Sequence, residues 1–227
     1  MAIELMWNAA NITAVNPGVS LPAQAINVVH RSDGSGTTFV WTSYLHLAHS
    51  DWNSSLVGKN PAWPVGTGAQ GNSGVAQKVL QVPYSIGYVE LAYTVQNSMK
   101  VAKIQNPAGN FVLPTLASTA TAAGAAAVTL PSSDGNWTGV AILMAPGADS
   151  YPVSSLTYLL VYKELNTIGP SMTQARAKAL VDFLWWAVND GQSYSSALVY
   201  VPLPQSVVTL NEQGLRNVTF NGQTLHT

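Results

Sequence analysis

The chain has 227 residues, 47% of them hydrophobic, enough to bury one sizeable core or two small lobes, and it is not disordered. Only 8% of residues are charged, against about 25% in ordinary soluble domains, and the net charge is −1, so Asn, Gln, Ser and Thr carry the polarity. That balance excludes a basic nucleic-acid surface and a polybasic membrane segment, and no apolar run approaches the ~20 residues that span a bilayer.

In chain order, the start MAIELMWN lacks the basic and apolar regions of a signal peptide. The first predicted strand is 26–30, where Ile26, Val28 and Val29 form a β-branched stretch. A helix follows at about 37–49, with Phe39, Trp41, Tyr44, Leu45 and Ala48 at helical intervals. Further helices are predicted at 72–81, opened by Gly71-Asn72, and at 115–127, where alanine density favours a helix but Gly124 and the threonines leave a linker open. A last helix, 171–189, starts at Ser171 and turns Ala175, Leu180, Phe183, Leu184 and Ala187 inward. Strands are expected at 85–89, 139–144, 156–162 and 198–200. The alternation of strands and helices predicts an α/β layered fold, with no internal repeat.

The run HRSDGSGTTFVWTSYL, from His30 to Leu45, joins the first strand to the first long helix. The first N–H groups of a helix have no internal partner and the helix dipole favours negative charge, so Ser35, Gly36 and Thr37 are placed to aim donors at one small anion. Gly34 and Gly36 let the backbone come close, and Arg31 adds a cationic fork that matches two oxygens of a phosphate. Asp33 can hold that fork in place or accept a proton from the ligand, and as an acceptor it is satisfied only by an anion that still carries a proton.

Plainer readings of the same run exist. A DGSG turn ahead of a helix can be a cap alone, with Ser35 or Thr37 satisfying backbone donors. The frame D-G-S-G-T is not the G-x-S-x-G elbow of a serine hydrolase, and His30, His46 and His49 come without a base-and-orienter arrangement, so no catalytic residue is assigned. His46 and His49, three apart on the helix, lack a third ligand, and neither a metal nor a cofactor is expected. Four N-x-S/T sequons, at Asn11, Asn53, Asn136 and Asn217, are candidate N-glycosylation sites and, with the scarcity of charge, favour life outside the cytoplasm.

Several motifs together carry a family resemblance. VVHRSDGSGTTFVWTSYL, then WPVGTGAQGNSGVAQKV at 63–79 and SIGYVELAY at 85–93, resemble in order and spacing the phosphate-binding proteins of ABC phosphate importers. YPVSSLTYLLVYKE at 151–164 and ALVDFLWWAVNDGQSYSSALVYVPLPQSVV at 179–208 extend the resemblance over nearly the whole chain. It implies a type II periplasmic-binding-protein fold and a non-enzymatic solute-binding protein, periplasmic or extracellular, that captures inorganic phosphate for an ABC permease. The family's phosphate loop maps onto Arg31, Asp33, Gly34, Ser35, Gly36 and Thr37, all of which match. A second functional class is a filament or surface-layer component built on the same scaffold.

The resemblance also implies a division. Residues 1–22, where WNAANITAVNPGVSLP resembles a hinge-proximal stretch, precede a second lobe at 23–150, and 151–227 return to complete the first lobe. The family's N-terminal first-lobe segment has no counterpart here, so Met1 is taken as a truncation point or an arbitrary numbering start. A separate polypeptide is expected to supply that segment and to cover apolar surface near Trp185 and Trp186.

Overall fold

The computed structural model describes residues 6–226, a mixed α/β chain that divides into two compact units, Met1–Ala102 and Lys103–Thr227. In the first unit, helix α1 (Ala10–Ala14) precedes strand β1 (Asn27–Arg31), helix α2 (Gly36–Ala48), strand β2 (Thr67–Ala69), helix α3 (Gly71–Gln81), strand β3 (Ser85–Gly87) and helix α4 (Leu91–Gln96). The three strands form a parallel sheet in the order β2-β1-β3, with Val29 opposite both Thr67 and Gly87. Val29 is buried in this central strand, while its neighbour Val28, on the opposite face, is half-buried. Helix α3 packs on β1 and β3 through Val75 and Ala76, both buried, and a side chain at Gly87 would crowd Val75 and Val79 at 3.0 Å.

Beside this sheet, Tyr88 lies between Trp41 and Trp63, with ring centroids 6.0 and 5.8 Å away, and His30 stacks on Trp63 at 4.9 Å. Such offset stacks add to the area that the rings remove from water. The stack ties α2 to the residues that follow β3, so the end of β1 and the start of α2 are braced by large, stiff side chains.

The second unit holds the hairpin β4–β5 (Ile104–Gln105, Phe111–Val112), helices α5 (Leu116–Ala127), α6 (Gln174–Val188) and α7 (Gln205–Arg216), and the hairpin β6–β7 (Thr219–Phe220, Gln223–Thr224). Its main core gathers Leu165, Ala177, Val181, Leu184, Leu215, Val218 and Leu225. The alanine-rich stretch is a helix: the Thr115 hydroxyl accepts from the Ser118 N–H, and the Ser118 hydroxyl accepts from the Thr115 N–H, a reciprocal cap that offsets Gly124.

Five expectations need correction. Helix α6 begins at Gln174, because Met172 N–H closes a turn onto Gly169 and the Thr173 hydroxyl caps Arg176 N–H at 3.3 Å. Its buried stripe is Ala177, Val181 and Leu184, so Ala175 and Phe183 face outward and Phe183 stacks on Trp186 instead. No strand forms at 139–144: Ile142 is buried as a side chain against Ala123 and Ala126, while Met144 takes a left-handed backbone, φ 54°, that breaks extension. None forms at 156–162 either, where Leu160 is 97% exposed, and 198–200 is the end of a short 3₁₀ turn stopped by left-handed Val199.

Candidate functional site

The site grows from the carboxyl ends of the strands, where open α/β sheets place ligands. Arg31 ends β1, and the chain turns through Asp33 and Gly34 into α2; Ala69 ends β2, and Gly71 opens α3. Gly71 adopts φ +69°, a left-handed turn that any side chain would strain, and its N–H donates to Asp33 Oδ1 at 3.0 Å. The Asp33 carboxylate therefore occupies the positive end of α3, while the start of α2 stays open.

Arg31 is deeply held, its side chain 11% exposed. Its Nε donates to Asp33 Oδ1 at 2.8 Å, its Nη2 donates to Asp33 Oδ2, and its Nη1 donates to Asn72 Oδ1 at 3.0 Å. Three of the five guanidinium N–H groups are thus engaged and two remain for an outside acceptor. The Arg31 hydrogen bonds, followed by the Gly71 N–H, hold the Asp33 carboxyl well below the usual carboxylate range, and Asp33 in turn raises the guanidinium. Asp33 Oδ1 already accepts two hydrogen bonds and Oδ2 one, which leaves Oδ2 room for one more.

At the start of α2 the plain and the functional readings divide between residues. Ser35 caps the helix, its hydroxyl accepting from Thr38 N–H at 3.1 Å. Its own N–H donates to Lys59 O at 2.9 Å, so Ser35 does not aim a backbone donor outward, contrary to the sequence expectation. The N–H groups of Gly36 and Thr37 and the hydroxyl hydrogens of Ser35 and Thr37 stay available, and a Cβ placed on Gly34 or Gly36 meets nothing within 4 Å. Two N–H groups, two hydroxyls and a cationic fork at one loop are a donor set of the kind that suits a small tetrahedral anion.

Two residues at the site escape sequence reasoning. Tyr88 accepts from Arg31 N–H at 3.1 Å and shares a 2.7 Å hydrogen bond with the Thr38 hydroxyl, locking the end of β1 to α2. Asn72 faces Arg31 and Thr37 together, though the sequence marks it only as part of a helix opening. The histidines are engaged locally: His30 Nδ1 with Arg31 O, His46 Nδ1 with Trp52 O at 2.7 Å, and His49 Nδ1 with Asp51 N–H. Among the described residues no cluster of three metal-binding side chains occurs. All four sequon asparagines, Asn11, Asn53, Asn136 and Asn217, are exposed. A separate groove of about 280 Å³ is lined by the starts of the strands, with Lys78 and Ser85, away from the Arg31 loop.

Comparison with known proteins identifies the family of the fold. Residues 4–190 match the PBP superfamily domain. The chain is 43% identical over 203 residues to the phosphate-binding protein PstS of Pasteurella multocida, covering 89% of this chain and 56% of that protein. It is 35% identical over 215 residues to PstS of Methanocaldococcus jannaschii, covering 90% and 55%. The chain thus spans about half the length of the curated relatives it matches. A high affinity periplasmic phosphate-binding protein, PfluDING, solved with phosphate, superposes with a TM-score of 0.62 at 21% identity, over 84% of this chain and 57% of that one, a likeness of fold.

Proposed function

The chain belongs to the PBP superfamily, and from that premise we propose that it holds inorganic phosphate at the start of α2, as part of an extracytoplasmic solute-binding protein that delivers phosphate to an ABC permease. The observation that carries the reading is the donor count: two Arg31 N–H groups and the N–H groups of Gly36 and Thr37 are left over at the same loop. The names of the relatives, all phosphate-binding proteins, support the same ligand. Among the described residues no helix is long and apolar enough to cross a membrane. The role is binding without chemistry.

Arg31, Asp33, Gly34, Ser35, Gly36 and Thr37 form the site in this reading. Asp33, kept ionised, has one acceptor position left, and a phosphate oxygen that carries a hydrogen fills it; sulfate, fully ionised at neutral pH, brings repulsion instead. The division 1–22, 23–150 and 151–227 belongs to the same reading. Glycans on the exposed sequons fit an extracytoplasmic location.

Calorimetric titration with phosphate tests the assignment. Arg31→Ala should weaken binding by more than about 1 kcal/mol, the usual loss for a charged hydrogen-bond partner. Sulfate should compete poorly at neutral pH. Unchanged binding in the variant, or competition by sulfate equal to that by phosphate, overturns the roles given to Arg31 and Asp33.

A further inference from the structure

We propose that Asn72 is a positioning residue that restricts which way the Thr37 hydroxyl points, biasing it to donate toward the bound anion. The inference rests on the phosphate reading of the α2 start. It begins from the orientation of the Asn72 amide, which its partners decide. An arginine only donates, so the Asn72 side-chain atom 3.0 Å from Arg31 Nη1 must be the carbonyl oxygen. The other end of the amide is then NH₂, and it lies 3.4 Å from Thr37 Oγ1. An NH₂ only donates, so Thr37 Oγ1 spends a lone pair on Asn72 and its hydrogen is turned to another acceptor.

The consequence is a relay of polarity. Asp33 and Asn72 each accept from the Arg31 guanidinium, and Asn72 converts that acceptance into donation toward Thr37. The open space before the helix therefore meets hydrogens from Arg31, from the Gly36 and Thr37 N–H groups and from the Thr37 hydroxyl, with Asp33 Oδ2 the one group aimed to accept. A free hydroxyl hydrogen rotates among three settings; with one lone pair held by Asn72 only the two that point away from the amide remain, so the hydrogen faces the anion more of the time. The amide sits at the second position of α3, so the strand end that carries Gly71 to Asp33 also fixes the reach of Asn72.

A double-mutant cycle on the full chain isolates this role, because Asn72→Asp keeps an acceptor for Arg31 but asks the Thr37 hydroxyl to donate inward. Asn72→Asp should weaken phosphate binding by about tenfold or more in the Thr37 protein. In a Thr37→Val background, where no hydroxyl remains to be turned, the same change should cost no more than about a third of that factor. The added negative charge acts equally in both backgrounds and cancels. An equal factor in both overturns the proposal while leaving the phosphate reading intact; a wild-type chain that shows no phosphate binding overturns both. Should a variant fail to fold, phosphate titration of the wild-type chain by NMR decides. The Asn72 side-chain amide must shift with the same midpoint as the Thr37 N–H, and an Asn72 amide that does not move refutes the relay.

Discussion

Two stretches of this chain read almost alike and fold differently. Both 26–30 and 156–162 are expected as strands from their β-branched and aromatic residues, Ile26, Val28 and Val29 in the first and Tyr158, Val161 and Tyr162 in the second, yet the first supplies the middle strand of a parallel sheet and the second forms no strand. The difference lies in neighbours. Strand β1 has Thr67–Ala69 on one side and Ser85–Gly87 on the other, so its N–H and C=O groups are paired along both edges. Around 156–162, Leu156 packs on the Ala123–Ala126 cluster and Val161 on the larger core, while Leu159 and Leu160 point to solvent. Side chains alone do not make a strand; a partner edge does.

Where no ladder forms, side chains take over the hydrogen bonding, and the largest expected effect probes that substitution. Asn106, 4% exposed, donates to the carbonyls of Gly147, Ala148 and Ser150 and accepts from the N–H groups of Ala108 and Asn110. Asn106→Ala removes five hydrogen bonds made by one buried side chain, leaves the carbonyl of buried Ser150 without this partner, and should cost about 3 kcal/mol by urea unfolding. In the paired region, Val29→Ala removes two methyl groups from the centre of the sheet and should cost about 2 kcal/mol.

Acid should act on both regions through carboxylates held by backbone donors. In the first unit Asp33 is held by Arg31 and by Gly71 N–H; in the second, Glu164 accepts from the N–H groups of Gly222, Asn166 and Asn221 and from the Thr219 hydroxyl. Both groups lie below their ordinary values in the folded chain, so the stability they contribute is complete above about pH 5 and is lost as the pH falls through and below about pH 4. The unfolding midpoint should stay level from neutral to mildly acidic pH and then drop, and Glu164→Gln should lessen the drop. A midpoint that rises on acidification contradicts this assignment. The smallest effect belongs to the unpaired stretch: Leu160→Ser should change stability by less than about 0.5 kcal/mol and improve solubility. A large loss there would mean that Leu160 is covered in solution.

What could be read from the sequence follows the same division. Helices α2, α3 and α5 and strand β1 were legible because their signals are local: a cap at Ser35, an opening glycine at Gly71, alanine density over 115–127, a β-branched run. The partnership of Arg31 with Asp33, two residues apart, was legible too. Asn72 and Tyr88 were not, since they reach Arg31 across 41 and 57 residues of chain and nothing near them in sequence announces it. Strand β2, at Thr67–Ala69, carries two small residues and no apolar alternation, and exists because β1 offers it an edge. The stretch 139–144 failed for the converse reason, its apolar residues being used in side-chain packing against α5.

The central claim is that the open start of α2, rather than any other concavity, receives phosphate. A crystal structure of this chain grown with inorganic phosphate tests it most directly. The account predicts phosphate oxygens within hydrogen-bond reach of the Gly36 and Thr37 N–H groups and of the Arg31 guanidinium. Phosphate seated only in the groove beside Lys78 and Ser85, or an empty α2 start at saturating phosphate, would contradict it.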